Sequence, residues 1–292
     1  MDETKQATAP EKQPFVEPGP RVLAVGGSDP SGAAGIQADL KTFTALGVFG
    51  ASAITAVTAQ NQKGVTDVMP LTASFVGAQI DAAMNDARCD VVKTGMLVNV
   101  DIVHALADRA GQWGSSSKIV IDPVLKSSSG RSLLDAEGRE ALLERLLPIS
   151  ALITPNLIEA EELTGKQAHS VDEMSLLGDY LLARGANAVL IKGGHLVERD
   201  DELEEITDLV RTIDGEEMRF TRPRLKGPDF RGTGCTLASA ISAKLAEGHT
   251  LRSAVEQAGD YVHRAMETAG AFRNVRGLNH SLLEAPKPGS GA

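Results

Sequence analysis

Six short apolar runs in this chain each end in a polar or glycine-rich stretch, and the first five give way to a helical pattern. "RVLAVGG" at 21–27 leads through "GGSDPSGAAG" into a helix over 34–47. "ASAITAVTAQN" at 51–61 precedes an amphipathic helix over 73–87. "CDVVKTGML" at 89–97, "KIVIDPV" at 118–124, "ALITPN" at 151–156 and "AVLIKGG" at 188–194 repeat the arrangement, with helical patterns over 99–111, 136–146, 157–164 and 172–184. Strand then helix, repeated, predicts an α/β chain with a mostly parallel sheet covered by helices on both faces. Ligands of such sheets bind beyond the carboxyl ends of the strands. That is where "GGSDPSGAAG", "QN", "TGM", "DPVLKSSSG", "TPNLIEAEE" and "KGGH" fall, so their polar groups gather on one rim.

One segment departs from the rhythm. "TDLVRTIDGEEMRFTRPRL" at 207–225 has two alternating runs around an Asp-Gly turn, which predicts a hairpin. Two helices follow, one after Gly234 and one over 251–269. Nothing divides residues 20–275, which are read as a single domain. The polar, proline-rich residues 1–19 are expected to be a disordered leader and 276–292 a C-terminal tail.

Composition narrows the function. A formal charge of −10 and 3% aromatic residues disfavour a nucleic-acid platform. An anionic ligand would then need a local positive site, such as a helix N-terminus or a few placed Lys and Arg. No apolar run approaches the roughly 18 residues of a membrane span. Cys89 and Cys235 lack metal-site spacing and are too few for a disulfide framework, which suits a reducing cytosol. Cytoplasmic localisation and no membrane partner are the expectation. A homodimer is expected only as the general habit of such enzymes.

The motifs differ in weight. "GGSDPSGAAGIQADLKT" lacks the Lys-Ser/Thr of a Walker A loop and the GxGxxG of a dinucleotide site. It reads as a loop whose backbone approaches a small ligand, or as an ordinary turn, and Asp39 beyond it is equally well a solvated helix residue. Gln60 offers donor and acceptor to a nitrogen heterocycle, or merely caps a loop. Asn156 and Glu159, three apart at a helix start, suit a Glu–water–metal arrangement or a simple cap. Lys192 fits a triphosphate or a turn. "RGTGC" at 231–235 is the strongest element, since the N–H groups of Gly232, Thr233, Gly234 and Cys235 can converge on an oxyanion. A partly exposed Cys235 at that helix start would titrate below the thiol's usual value of about 8.5; the alternative is a buried small hydrophobe.

Taken in order, "AVGGSDPSGAAGIQADLKTFTALGVFG", "TAQN", "KTGML", "TPNLIEAEELTG", "KGGH" and "GTGCTLASAIS" resemble the hydroxymethylpyrimidine/phosphomethylpyrimidine kinases of thiamine biosynthesis, within the ribokinase-like superfamily. The resemblance runs from about residue 21 to 270. It implies a three-layer α/β/α fold and transfer of phosphoryl groups from ATP with Mg²⁺. The acceptors would be 4-amino-5-hydroxymethyl-2-methylpyrimidine and its monophosphate. By matching motif, Gln60 would hold the pyrimidine edge, and Gly27, Ala34, Asp39, Met96 and Val124 would line its pocket. Asn156 and Glu159 would serve the metal–phosphate network, with Glu159 towards the metal, and Lys192 would lie near the nucleotide. Gly232, Thr233, Gly234 and Cys235 would form the catalytic anion hole, with Cys235 standing where related kinases place an aspartate base. Asp229, Phe230 and Arg231 replace the first three positions of the family's Asn-x-His-Gly-x-Gly-Cys. Arg231 would then bind a phosphate of nucleotide or substrate, or else pair with Asp229. A pyridoxal or pyridoxine kinase is the alternative reading.

Overall fold

The computed structural model describes residues 19–86, 88–113, 117–127, 129–199, 202–225, 230–269 and 277–282. Within them one nine-stranded sheet runs in the order β3-β2-β1-β4-β5-β6-β7-β8-β9. Its parallel centre is β2 (Phe49–Asn61), β1 (Arg21–Ser28), β4 (Val91–Thr94), β5 (Lys118–Ile121), β6 (Leu152–Ile153) and β7 (Ala188–Ile191). Antiparallel strands finish both sides. The hairpin read around Asp214-Gly215 forms β8 (Glu205–Thr212) and β9 (Glu217–Pro223) beside β7. At the other edge β3 (Gly64–Pro70) folds back on β2. The six runs of the opening pattern do not include β3, whose short "GVTDVMP" ends in proline.

Side chains alternate across a strand, so each central strand feeds two cores. Leu23, Val92, Ile121, Ile153 and Val189 pack on one face against α2 (Ala73–Asp86), α3 (Val100–Trp113), α4 (Ala136–Ala141), α5 (Leu157–Thr164) and α6 (Val171–Ala183). Val22, Val91, Val120, Leu152 and Leu190 pack on the other against α1 (Gly35–Ala45), α8 (Thr233–Ala246) and α9 (Leu251–Glu267). This is the three-layer α/β/α arrangement. The predicted 136–146 helix is α4 followed by one π turn at Leu142–Leu146. A short helix, α7 (Gly194–Arg199), follows β7 where the sequence reads only a turn.

Residues 277–282 lie beyond the boundary drawn at 275, yet they pack into the domain. Gly277 pairs with Arg231 in a parallel bridge, and Leu278, Asn279 and His280 are buried. Residues 1–18 and Asp229 lie outside the described residues.

Candidate active site

The first wall of the rim is the loop after β1. Asp29 organises it: its carboxylate accepts from Ser31 N at 2.8 Å, Ser31 Oγ at 2.8 Å and Ala34 N at 2.9 Å. Gln37 accepts from Asp29 N and donates to Ser28 Oγ, both at 2.8 Å. The loop's polar side chains are thus spent on its own shape, which leaves backbone to face a ligand. Gly27 lies against Met96, whose Sδ would stand 3.0 Å from an added Cβ. Met96, Ala56 and Leu133 form a small apolar cluster with Val68, Val98 and Val124 packed against it. Along β2, Gln60 shares a face with the buried Ala56 and Thr58. Gly27, Met96 and Val124 thus meet at one apolar corner beside β2, and Gln60 lies further along that strand on the same face as Ala56.

Opposite stands the start of α8. Its N-cap is Gly232, at φ +80°, and an added Cβ there would collide with the Ala33 carbonyl oxygen, beside Ala34. Only glycine fits this left-handed, close-packed position. Among the described residues no side chain is seen to cap α8, and its first helical bond is Thr236 N to Gly232 O at 2.9 Å. The N–H groups of Thr233, Gly234 and Cys235 therefore have no acceptor within the helix. Lys192 adds charge at the same point, since its Nζ would stand 3.1 Å from a Cβ on Gly234. Arg231 donates from Nη1 to the Asn61 carbonyl, joining the α8 start to the end of β2.

Behind these groups runs a chain of charges. Lys192 Nζ bonds Asp122 Oδ1 at 3.2 Å, and Asp122 Oδ2 lies 3.9 Å from Lys93 Nζ. Lys93 in turn donates to Asp39 Oδ1 at 2.9 Å, which also accepts from Ser239 Oγ at 2.7 Å. Asp39 is fully buried, so its reading as a solvated helix residue is corrected. It binds α1 to β4 and α8 beneath the rim. Burial works against the Lys93 charge, but Asp39, Cys235 and Asp122 outweigh it and hold its pKa above the usual lysine value. Lys192 is raised in the same way, with Asp122, Glu159 and Cys235 opposing the burial penalty. Asp122 and Lys93 are absent from the sequence candidates, although Asp122 opens "DPVLKSSSG" at a strand end, the position that marks the others.

The lowered thiol pKa expected for Cys235 is also corrected. Burial pushes the thiol up to about 12, against the pull of Lys93 and a bond from the Gly35 backbone. The Gly35 backbone bonds the half-buried sulfur, so the positive helix start acts on a group partly withdrawn from water. The direction is opposite to the acidification that the helix start alone would give.

Asn156 and Glu159 form a reciprocal capping box at the start of α5, each accepting the other's backbone N–H at 2.8 Å. Burial, opposed by Lys192, also pushes Glu159 up to about 7. Glu159 therefore caps and faces the charge chain at once. Its raised folded pKa means that stability is fully present below the ordinary glutamate range and falls as pH rises through about 7. Glu159→Gln keeps the box and removes the charge. Urea unfolding of the parent should lose stability between pH 5 and about 8 more steeply than that of Glu159→Gln. Parallel curves would detach Glu159 from the charge chain.

No group of three His, Cys, Asp or Glu among the described residues could hold a metal alone. Magnesium does not require one, because it keeps several waters and takes one or two carboxylates plus phosphate oxygens. Asp122 pairs with Lys192 and raises the pKa of Glu159 by its charge, so the two carboxylates lie close enough to fit that demand.

Comparison with known proteins agrees with this geometry. The family described as phosphomethylpyrimidine kinase matches residues 29–279. The hydroxymethylpyrimidine/phosphomethylpyrimidine kinase of Bacillus subtilis is 45% identical over 262 residues, covering 89% of this chain and 94% of its own. The phosphomethylpyrimidine kinase structure from Clostridium difficile superposes with a TM-score of 0.72 at 39% identity, over 84% of this chain and 99% of its own. Pyridoxal kinase from Staphylococcus aureus, solved with AMP-PCP and pyridoxal, superposes with a TM-score of 0.80 at 30% identity, over 91% and 94%. With its glycine loop, uncapped α8 and rim of strand-end polar groups in this order, the chain belongs to the phosphomethylpyrimidine kinase family.

Proposed function

We propose that this enzyme transfers phosphoryl groups from ATP to 4-amino-5-hydroxymethyl-2-methylpyrimidine and then to its monophosphate, in thiamine biosynthesis. The observation that supports it most is the start of α8, with a glycine at its N-cap and Lys192 beside it. Phosphoryl transfer asks mainly for positioning and for stabilisation of charge on the moving group. The Thr233, Gly234 and Cys235 N–H groups, with Gly232 shaping their approach, supply fixed donors for that charge. Lys192 and Arg231 hold nucleotide phosphates, and Asn156 fixes the turn that carries Glu159. Asp122 and Glu159 would hold magnesium, which when bound screens the phosphates from one another.

Cys235 touches the acceptor oxygen in this reading and orients it. With the thiol's pKa raised by burial, the backbone donors and Lys192 carry the step in this reading. On the ring side Gln60 pairs with the heterocycle edge, while Gly27, Ala34, Met96 and Val124 shape the pocket and Asp39 acts from below. The cytosol is the proposed location, where ATP is at hand and both thiols stay reduced. No helix among the described residues is long and apolar enough to cross a membrane.

The pyridoxal reading has one observation in its favour, the higher TM-score of 0.80. Sequence identity points the other way, 45% against 30%. Turnover of the pyrimidine alcohol, its monophosphate and pyridoxal, measured side by side, decides between them. Preference for pyridoxal would overturn the proposal. Gln60→Leu should raise KM for the pyrimidine by roughly tenfold, the effect of unpairing one or two buried ligand atoms. An unchanged KM would remove Gln60 from the ring pocket.

A further inference from the structure

A helix start that must present free N–H groups to a phosphoryl group cannot use the ordinary cap. A Ser, Thr, Asp or Asn side chain at the N-cap would occupy the donors the ligand needs. Uncapped helix ends fray. The start of α8 has no side-chain cap, so its rigidity has to come from elsewhere. The structure shows where.

Segment 277–282 lies behind it and touches it twice. Gly277 pairs with Arg231 just before the helix, and His280 Nε2 lies 3.1 Å from Thr236 Oγ1 in its first turn. Both His280 and Thr236 are buried. The segment is itself fixed: Tyr261 Oη donates to the His280 carbonyl at 2.7 Å, Asn279 N donates to Ala265 O at 3.1 Å, and Leu278 sits in the core with α8 and α9. Burial, with Lys41 nearby, pushes the His280 imidazole down to about 4, so the ring is neutral at neutral pH. It also bonds the Leu278 backbone in the sense that favours the charged ring, which means the ring donates there. Nε2 is then the acceptor for the Thr236 hydroxyl.

We infer that His280 is a positioning residue for phosphoryl transfer, holding the first turn of α8 from behind through Thr236 so that its free N–H groups stay aimed at the transferred group. The inference rests on the anion-hole reading of Thr233–Cys235. In this inference His280 acts through Thr236 and not on the reacting atoms. It replaces, from the far side of the helix, the cap that the reaction forbids on the near side.

The test is steady-state kinetics of the full chain with Thr236→Val, His280→Ala, His280→Gln and the Thr236→Val/His280→Ala pair. Thr236→Val is nearly isosteric and carries the test should His280→Ala fail to fold. Thr236→Val and His280→Ala are each expected to lower kcat by on the order of 10- to 100-fold, as slight misplacement of catalytic groups does. KM for ATP and for the pyrimidine should stay within about twofold, because most ground-state contacts remain. His280→Gln, which keeps a hydrogen-bonding amide, should recover most of the rate. The double variant should be no slower than the slower single one, since both remove one interaction. Parental kcat in Thr236→Val, a loss confined to KM, or losses that multiply in the double variant would each overturn the inference. Binding of ADP, magnesium and aluminium fluoride with the pyrimidine alcohol separates the two readings. If the parent captures no such complex, the anion-hole reading falls and this inference with it. If the parent captures it and Thr236→Val binds it equally well, only the role of His280 falls.

Discussion

Lys192→Met is expected to lower kcat by about 10²–10³ while leaving the fold intact, the usual cost of removing one preorganised donor from a site of developing charge. Lys192 has the most to lose because it serves two neighbours. Its ammonium stands against the start of α8, where the backbone donors end, and it bonds Asp122 at 3.2 Å. Without it, the helix start keeps only its partial charge, and Asp122 and Glu159 face each other with less to offset them. A carboxylate pair so exposed to mutual repulsion takes up a proton more readily. Methionine preserves the length of the side chain, so the loss is one of charge. Rates at saturating ATP, magnesium and pyrimidine, within threefold of the parent, would exclude Lys192 from the transfer step.

Lys93→Met should be the most destabilising single change, about 3–5 kcal/mol, because it strands a buried carboxylate. Lys93 and Asp39 are 0% and 1% exposed at their side chains, so solvent screens neither. Asp39 Oδ2 already lacks a partner, and Oδ1 would be left with Ser239 alone. Urea unfolding gives the measurement. Lys93→Met/Asp39→Leu should recover much of the loss, because an apolar pair of similar volume removes both charges together. A single variant with the parental midpoint would show that the pair contributes nothing to stability.

Much of the fold is legible in the sequence because each central strand announces itself twice, by its apolar run and by the polar residues that close it. The same rule points to Gln60, Asn156 and Lys192 as candidates, and the "RGTGC" motif separately marks the α8 start. The rule misses Lys93, which lies within "CDVVKTGML" and reads as one polar residue in a strand. Its partner Asp39 is 54 residues away and Ser239 lies 200 residues beyond Asp39, so no local spacing shows that a lysine there is wholly enclosed. Cys235 fails for a related reason. The helix start that should acidify it is visible in "GTGC", but the burial that raises its pKa exists only after folding. The tail reads as frayed because glycine and proline dominate its end, whereas Leu278, Asn279 and His280 are held by α8 and α9. Strand β3 escapes because seven residues ending in proline carry little pattern of their own.

The two helix starts of the site are interlocked. Gly232 is wedged on Ala33, the Gly35 backbone meets the Cys235 thiol, and Ser239 bonds Asp39 across α1 and α8. Nothing on that flank can shift alone, so it behaves as the fixed jaw of a vice. Gln60 stands instead near the tip of a hairpin at the margin of the sheet, half-exposed, with only a short strand outside it. Under the proposed reading, a changed acceptor would be accommodated at the hairpin jaw, where one side chain can be replaced without loosening the clasp between α1 and α8.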